Sequence, residues 1–257
     1  MDITSLQNPR VKHIVKLRDD KKQRLEDDVM LVEGFDEIQL ALSAGHKPQT
    51  LLSAPELVTQ QMSGLFAETL TVSRAVFEKM SYRNNPDGWL AIFPIPSTTL
   101  DSVSLLTETP LIIIAESIEK PGNLGAILRT ADAAHVDAVL LCDPRVDLWN
   151  PNVVRASRGT VFSVPVVECD NASALEWLKS RKMRVLAATP AADEIYSNAD
   201  MTQPIAIAVG TEAEGLTDFW MQNADLRVKI PMLGKVNSLN VSVSMALIVY
   251  EAVRQRG

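Results

Sequence analysis

The sequence predicts an α/β protein whose larger part is a mostly parallel sheet with helices on both faces. After Pro110, short apolar or β-branched runs alternate with helical or turn segments, at residues 111–115, 138–142, 161–167, 184–188, 205–209 and 226–230. Near-continuous apolar strands of this kind are typical of parallel sheets that are buried on both faces. In such sheets ligands bind beyond the carboxyl ends of the strands. The candidate binding loops are therefore those after Ala115, Ala188, Val209 and Ile230.

A smaller α/β unit is predicted ahead of this sheet. Asn8-Pro9 reads as a helix cap followed by proline at the first helical position. Val29–Glu33 reads as a strand, and Gly34 turns it into a helix closed by Gly45. Further strands are predicted near 50–53, 69–72 and 89–93, with helices after Pro55 and Ser73.

Composition shifts predict the domain boundaries. Pro94, Pro96 and the polar run 97–109 show neither strand nor helix periodicity for long. We therefore predict an N-terminal domain at 1–97, a linker at 98–109 and a C-terminal domain at 110–257.

Bulk properties indicate an ordinary globular protein. Hydrophobic residues make up 46% of the 257 residues and charged residues 22%. No apolar stretch is long enough to span a membrane, and no signal peptide is evident, so we expect a cytoplasmic protein. The two cysteines and three histidines show no metal-ligand spacing, so no metal is expected.

The charge distribution is uneven. The net charge of −7 argues against nucleic-acid binding. Residues 9–24, however, contain seven Lys/Arg against two Asp. A local basic face on an acidic body can bind phosphates, although a solvated helix face explains the pattern equally well.

The last helix follows a loop rich in Asn and Ser. Apolar residues recur at helical spacing, so one face of this helix is predicted to be core. They are Leu239, Val243, Ala246, Leu247, Tyr250 and Val253. A polar loop held at the start of a buried helix is a place to bind a small molecule.

Several common activities are disfavoured. Gly210–Gly215 resembles a phosphate loop, but Leu216 stands where the P-loop lysine belongs. Gly122-Asn-Leu-Gly125 is not the dinucleotide fingerprint. No nucleophile elbow, Cys–His pair or H-E-x-x-H motif is present.

Three polar loops remain, each after a strand of the same sheet. Asn123 and Arg129 belong to the first, Glu212 and Glu214 to the second, and Asn237, Ser238 and Asn240 to the third. Each of these residues has a structural explanation as a helix cap or a helix-terminus charge. The position of all three loops at strand ends favours a shared site.

These segments resemble the three motifs of SPOUT-superfamily RNA ribose methyltransferases of the SpoU/TrmH type. The motif segments are Asn123-Leu-Gly-Ala-Ile-Leu-Arg129-Thr-Ala131, Gly210-Thr-Glu-Ala-Glu-Gly215, and Ile230-Pro-Met-Leu-Gly followed by Asn-Ser-Leu-Asn-Val-Ser242. The resemblance extends from Leu111 to Arg256 and includes the segment 150–159. The N-terminal unit, with Val32-Glu-Gly34 and Pro86-Asp-Gly88, is similar to the ribosomal-protein-like RNA substrate-binding domain often fused ahead of that enzyme.

The resemblance implies methyl transfer from S-adenosylmethionine to a ribose 2′-hydroxyl, on a Rossmann-like sheet that ends in a deep trefoil knot. The backbones of Gly210, Ile230 and Leu239 would hold the cofactor. Arg129 would be the central catalytic residue, supported by Asn123, Glu212, Ser238 and Asn240. Because a guanidinium stays protonated in proteins, we interpret Arg129 as gripping a phosphate and stabilising the developing alkoxide.

The resemblance also implies partners. Family members pair as homodimers through the knotted region, and the RNA is expected to be ribosomal because of the extra N-terminal domain. The predicted phosphate contacts are Lys12, Lys16, Arg18, Lys21, Arg24, Arg155 and Arg158. A tRNA ribose methyltransferase, a SPOUT enzyme acting on a base nitrogen, and a non-catalytic RNA-binding or ribosome-assembly protein of the same fold are the alternatives.

Overall fold

A computed structural model describes residues 2–64, 66–105, 107–211 and 214–257. The chain forms two compact units. The N-terminal unit comprises the residues up to Ser97 together with Asp147–Ser163, and the C-terminal unit comprises Thr98–Val146 and Val164–Gly257.

The N-terminal unit is a four-stranded mixed sheet with helices. The order of its strands is β1-β4-β2-β3, in which only β2 and β3 pair in parallel. Its elements are α1 (Pro9–Asp19), α2 (Lys21–Asp27), β1 (Val29–Glu33), α3 (Phe35–Ser43), β2 (Thr50–Ser53), β3 (Glu68–Thr71), α4 (Arg74–Met80), β4 (Trp89–Pro94) and α6 (Pro151–Ser157).

The predicted start of α1 is confirmed. The Asn8 side chain accepts a hydrogen bond from the Arg10 backbone N–H at 2.9 Å, and Pro9 occupies the first turn. Val11, Ile14 and Leu17 share one face of the helix and are buried. A capped, one-sided apolar helix of this length is stabilised mainly by that burial.

One predicted helix of this unit is wrong, and one strand predicted for the C-terminal unit begins later in the chain than expected. The helix predicted after Pro55 is a single turn closed by Leu57 N–H on the Ala54 carbonyl, because β-branched and polar residues follow and no apolar face continues. The strand predicted at 161–167 begins as a 3₁₀ turn, Thr160–Phe162, after Gly159 at φ +83°. Pairing starts only after Pro165, which has no N–H to give to a sheet.

The domain division stays a prediction, but two segments pack differently from that expectation. Helix α6, assigned to the C-terminal domain, packs on β1 of the N-terminal unit. The supposed linker places Val103 in the core of the C-terminal unit, where the Leu100 carbonyl accepts a hydrogen bond from Trp177 Nε1 at 2.8 Å.

The C-terminal unit is a seven-stranded sheet in which every neighbouring pair is parallel, as predicted. The strand order is β7-β6-β5-β10-β8-β11-β9. Its elements are β5 (Leu111–Glu116), α5 (Pro121–Ala133), β6 (Ala138–Cys142), β7 (Val166–Cys169), α7 (Asn171–Ser180), β8 (Arg184–Ala188), β9 (Glu194–Ile195), β10 (Ile205–Val209), α8 (Asp218–Asn223), β11 (Leu226–Lys229) and α9 (Val241–Arg256).

The central strands explain why this sheet forms. Every residue of β5, β6 and β10 is buried, so these strands are covered on both faces. That burial requires the continuous apolar runs seen in the sequence. The parallel pairing of the strands places their carboxyl ends along one edge.

Helix α9 buries the face opposite to the one that was predicted to be core. Val241, Met245, Ile248, Val249 and Ala252 are buried. The predicted core stripe instead has its large members exposed, namely Leu239, Val243, Leu247 and Tyr250. Both faces are apolar, and periodicity alone does not tell which one meets the chain's own core.

Candidate active site

A cavity of about 450 Å³ lies at the carboxyl ends of β8, β10 and β11. Thr189 and Pro190 follow β8, and Ile230 and Met232 follow β11. The lining residues that follow β10 are Gly210, Thr211, Glu214, Gly215 and Leu216. Three of the four loops chosen from the sequence therefore converge on one site. Parallel strands cause this convergence, because their carboxyl ends lie along the same edge of the sheet.

The loop after β10 is closed on itself around Gly210. Thr211 N–H donates to the Gly215 carbonyl and Gly215 N–H to the Thr211 carbonyl, both at 3.0 Å. A Cβ on Gly210 would lie 2.0 Å from the Gly215 oxygen. Only glycine permits this backbone approach, so Gly210 sets the shape of the cavity wall.

The loop before α9 contributes a further part of the wall. Asn237, Ser238 and Leu239 line the cavity, as does Ile230. The predicted cofactor residues Gly210, Ile230 and Leu239 are thus brought together around one space. Their specific contacts to a cofactor stay a prediction.

Asn240 ties the first predicted motif to the third. Its Nδ2 donates to Asn123 Oδ1 at 3.1 Å, while its Oδ1 caps α9 by accepting from Ser242 N–H at 3.0 Å and Ser242 Oγ at 2.6 Å. Asn123 lies in the first turn of α5. The two amides therefore fix the beginnings of α5 and α9 to one another.

A buried carboxylate that the sequence did not single out holds the far end of the β10 loop. Glu116, the last residue of β5, is fully buried and accepts from Thr217 N–H at 2.8 Å and Thr217 Oγ1 at 2.6 Å. It also accepts from Asn171 Nδ2 at 2.8 Å, and Asn171 Oδ1 accepts from Trp220 Nε1 at 2.6 Å. The only sequence signal was a carboxylate ending an apolar strand.

Arg129 does not line this cavity. It is an exposed residue of α5 and makes no hydrogen bond or ion pair within the part of the chain that the structure describes. Helix α5 packs against α9. A single chain therefore presents the Arg129 guanidinium to solvent, where it is available to an anion. Glu212, the remaining predicted catalytic residue, lies outside the described residues.

The predicted RNA-contacting residues all lie in the N-terminal unit. Lys12, Lys16 and Lys21 are exposed on α1 and α2, as an RNA footprint requires. Arg155 and Arg158, which the sequence placed in the methyltransferase domain, are exposed at the end of α6 and belong to the N-terminal unit.

Arg24 and Arg18 differ from the other predicted RNA contacts, because their guanidinium groups are engaged within the fold. Arg24 is only 2% exposed, pairs with Asp147 and donates to the Leu17 carbonyl at 2.5 Å, so its charge is enclosed. Arg18 forms a two-point contact with Asp19, which raises the pKa of the guanidinium, and donates to the Lys79 and Ser81 carbonyls. Both arginines join elements of the fold.

Two other features are absent from the described ranges. No group of three or more His, Cys, Asp or Glu is arranged to hold a metal ion there. Nor does any helix among those residues have the length and apolarity to cross a membrane.

The fold and the cavity define an α/β protein with a small-molecule site at the carboxyl edge of a parallel sheet. Residues 110–250 match the SpoU rRNA Methylase family, and residues 8–91 match the MRM3-like substrate binding domain. The first match spans more than half of the chain. The chain therefore belongs to the SpoU rRNA methylase family.

Individual relatives extend over nearly the full length. The 23S rRNA (guanosine(2553)-2′-O)-methyltransferase RlmP of Bacillus subtilis is 28% identical over 248 residues, which cover 96% of this chain and 97% of that protein. A crystal structure of an RNA 2′-O ribose methyltransferase superposes with a TM-score of 0.89 at 42% identity, covering 100% of this chain and 99% of the other. AviRb of Streptomyces viridochromogenes, solved with AdoMet, gives 0.88 at 27% identity, with coverages of 97% and 98%.

These matches confirm the activity class predicted from the motifs, an S-adenosylmethionine-dependent RNA ribose 2′-O-methyltransferase. The cavity fits that cofactor. Its volume lies within the range of about 300–1,000 Å³ usual for small-molecule sites. Leu216 and Val241 supply apolar wall, Asn237 and Ser238 supply polar groups, and Glu214 supplies a carboxylate opposite in charge to a sulfonium.

Proposed function

We propose that this chain methylates a ribose 2′-hydroxyl of ribosomal RNA, in the cytoplasm, with the cavity at β8, β10 and β11 as its S-adenosylmethionine site. The observation that carries the proposal is the convergence of the second and third motif loops on one cavity, together with the Asn123–Asn240 hydrogen bond that ties the first motif to the third. The relatives named above act on 23S rRNA or RNA ribose, which supports the choice of substrate.

Backbone groups of Gly210, Ile230 and Leu239 would hold the cofactor, which supplies an activated methyl group when it is bound. The remaining task of the protein is to position the ribose oxygen and to help it lose a proton. Asn240 and Asn123 act as positioning residues in this proposal, because their amides fix the beginnings of two helices beside the cavity.

Arg129 would bind the phosphate next to the target ribose and stabilise negative charge on the 2′-oxygen. Its exposed guanidinium, which makes no hydrogen bond or ion pair in the described part of the chain, supports this role. Because the guanidinium is already protonated at neutral pH, it cannot take the proton of the 2′-hydroxyl. That proton would pass to water instead.

We further propose a homodimer that pairs through α9. Leu239, Val243, Leu247 and Tyr250 form an exposed apolar stripe, and Leu233 and Val236 in the preceding loop add to it. Contiguous apolar surface of this kind marks an interaction site more often than isolated exposed residues do. Sedimentation at micromolar concentration should give a dimer, and a monomer would contradict the proposal.

Since α5 packs against α9, pairing through α9 would bring Arg129 towards the second chain. The trefoil knot also remains a proposal. Packing of α9 against both α5 and β10 is compatible with it.

The activity is tested by incubating the protein with methyl-labelled S-adenosylmethionine and, in separate reactions, 23S rRNA or tRNA, and then digesting the RNA to nucleosides. We expect label in one 2′-O-methylated nucleoside. Label in a base-methylated nucleoside, or transfer to tRNA alone, would replace the proposal by one of those alternatives. Cofactor binding with no transfer to either RNA would favour an assembly role.

The same assay tests the role of Arg129. Arg129→Lys keeps the charge but loses the planar fork that contacts two oxygens at once. We expect at least about a hundredfold loss of rate, since an oxyanion-stabilising group contributes roughly that factor. A variant that methylates at nearly the wild-type rate would show that the proposed geometry is wrong.

A further inference from the structure

A second cavity lies wholly in the N-terminal unit, between the loop before β4 and the end of α6. We call it the Tyr82 groove. It has a volume of about 650 Å³, and the residues that matter here are Tyr82, Asn84, Asn85, Asp87, Arg155 and Arg158. The rim is predominantly polar, which suits a ligand with hydrogen-bonding edges rather than an apolar peptide or a fatty chain.

One wall of the groove is an exposed aromatic ring with an arginine guanidinium over one of its faces. The Arg155 guanidinium lies 5.5 Å from the centroid of the Tyr82 ring, and Tyr82 is 42% exposed. Asn152 Oδ1 accepts from Arg155 Nη2 at 2.7 Å, which fixes the direction of the guanidinium. Aromatic and guanidinium planes are the two side-chain surfaces on which unpaired RNA bases stack.

The loop carrying Tyr82 is held rigidly. The Glu33 carboxylate accepts from the Tyr82 backbone N–H at 2.7 Å and from Ser81 Oγ. Burial raises the pKa of Glu33, and these hydrogen bonds oppose that effect. The ring is therefore presented on a fixed backbone, so little conformational entropy is lost when a base stacks on it.

Most acidic groups around the groove are already engaged. Glu37 pairs with Arg83 at 2.6 Å, and Asp87 accepts from Phe35 N–H at 2.7 Å and Trp89 N–H at 3.1 Å. Arg158 has no partner among the described residues, and Arg155 bonds only to a neutral amide. Asp36 is the one exposed carboxylate that opposes these two cations on the rim.

We propose that the Tyr82 groove binds a single unpaired nucleotide of the RNA substrate. The base stacks on an outer face of the pair formed by the Tyr82 ring and the Arg155 guanidinium. The amides of Asn84 and Asn85 meet its edge, and Arg158 contacts a phosphate. The inference rests on the proposed function, and it deepens that function by assigning the N-terminal unit to an unpaired rather than a helical part of the RNA.

Tyr82→Ala and Tyr82→Phe, made in the whole 257-residue chain, distinguish stacking on the ring from the other contacts of the groove. The probes are a short single-stranded RNA and the duplex of the same sequence. We expect Tyr82→Ala to weaken single-strand binding by about tenfold, within the range measured for base–aromatic stacking, with duplex binding unchanged. Tyr82→Phe keeps the ring and should bind the single strand like the wild type.

Salt dependence identifies the phosphate contact. Arg158→Gln should reduce the magnitude of the negative slope of log affinity against log salt by roughly 0.7 for single-stranded RNA, because one fewer counterion is released. Tyr82→Ala should leave that slope unchanged, since stacking involves no charge.

Three results would overturn the inference: unchanged single-strand binding by Tyr82→Ala, an equal loss with Tyr82→Phe, or an equal loss on the duplex. Methylation of 23S rRNA by the wild type is measured in the same preparations. If it succeeds while the Tyr82 variants bind normally, only the groove assignment fails. If it fails while Tyr82→Ala still loses single-strand binding, the enzymatic proposal fails and the groove assignment stands.

Discussion

Gly210 is the residue on which the shape of the candidate active site depends most directly. The clash predicted for a Cβ at this position is with backbone atoms of Gly215 and Leu216, which cannot rotate away as a side chain could. Neither its conformation nor its exposure requires glycine. The requirement comes from the small closed loop that follows it.

Gly210→Ala is therefore expected to displace this loop and weaken binding of S-adenosylmethionine by about tenfold, since overpacking of this kind costs roughly 1–3 kcal/mol and about 1.4 kcal/mol corresponds to a factor of ten. Calorimetric titration with the cofactor measures the effect. Gly234→Ala is the matched control, because a Cβ there meets nothing within 4 Å. Equal affinities for the two variants would contradict the role assigned to Gly210.

The positions of several site residues were predictable from the sequence, while their roles stay predictions. The glycine and asparagine positions of the three motif loops were identified because such residues cluster only where backbone approach and capping are needed. Arg24 was misassigned because sequence position gives charge but not burial, and Asp147, its partner, lies 123 positions along the chain. Glu116 was missed because a carboxylate at a strand end looks solvent-exposed until its donors are known.

At the scale of elements, α9 shows which features of a helix can be predicted from the sequence and which cannot. The existence of this helix and its position after a polar loop were predicted correctly, since the apolar periodicity from Leu239 to Val253 overlaps α9. Its orientation was wrong, because both Met245 and Leu247 lie on apolar faces. Which face meets the chain's own sheet depends on tertiary packing with α5 and β10, and no local pattern records that.

The C-terminal turn of α9 is also tied to the loop before β10. Gln255 Oε1 accepts from Met201 N–H at 2.8 Å, and Gln255 Nε2 donates to Glu251 Oε1 at 2.8 Å. Hydrogen bonds from Arg254 and then Gln255 lower the pKa of Glu251 to about 2. The carboxylate thus stabilises the folded state only while it is ionised.

This linkage predicts a pH effect on stability. A folded-state pKa depressed from 4.5 gives stabilisation that is present above that pH and is lost as the pH falls towards 2. The melting temperature of the wild type should therefore exceed that of Glu251→Gln at pH 6, and the difference should shrink between pH 4.5 and 3.

Glu176→Gln is the control for that experiment. Glu176 is an exposed residue of α7 without a hydrogen-bond partner among the described residues. Its replacement should change the melting temperature little at any of these pH values. A Glu251→Gln difference that is constant with pH would count against the ionic contribution.

At the scale of the whole molecule, the proposed dimer makes a prediction about where Arg129 acts. Chains carrying Arg129→Ala lack the guanidinium, and chains carrying Gly210→Ala bind the cofactor weakly, so the assay uses a cofactor concentration well below the dissociation constant of that variant. If Arg129 serves the partner's cavity, a mixed dimer contains one complete site. Random pairing then restores about a quarter of wild-type activity, because half of the dimers are mixed and each has one of two sites.

Co-expression of the two variants with different affinity tags provides the measurement, with each variant alone as the control. Activity that stays at the level of the single variants would place Arg129 in the site of its own chain. That outcome would leave the methyltransferase assignment intact, but it would remove the argument that pairing completes the site.

The path of the chain through its two units limits which truncated forms of the protein can fold. Connections pass between the units after Ser97, Val146 and Ser163, so no single break separates them. Deleting the first 97 residues would remove β1 yet keep α6, and would leave buried Val153 and Val154 exposed to water. Such a truncated protein is expected to aggregate. A variant that lacks the whole N-terminal unit must also have residues 147–163 replaced by a short linker.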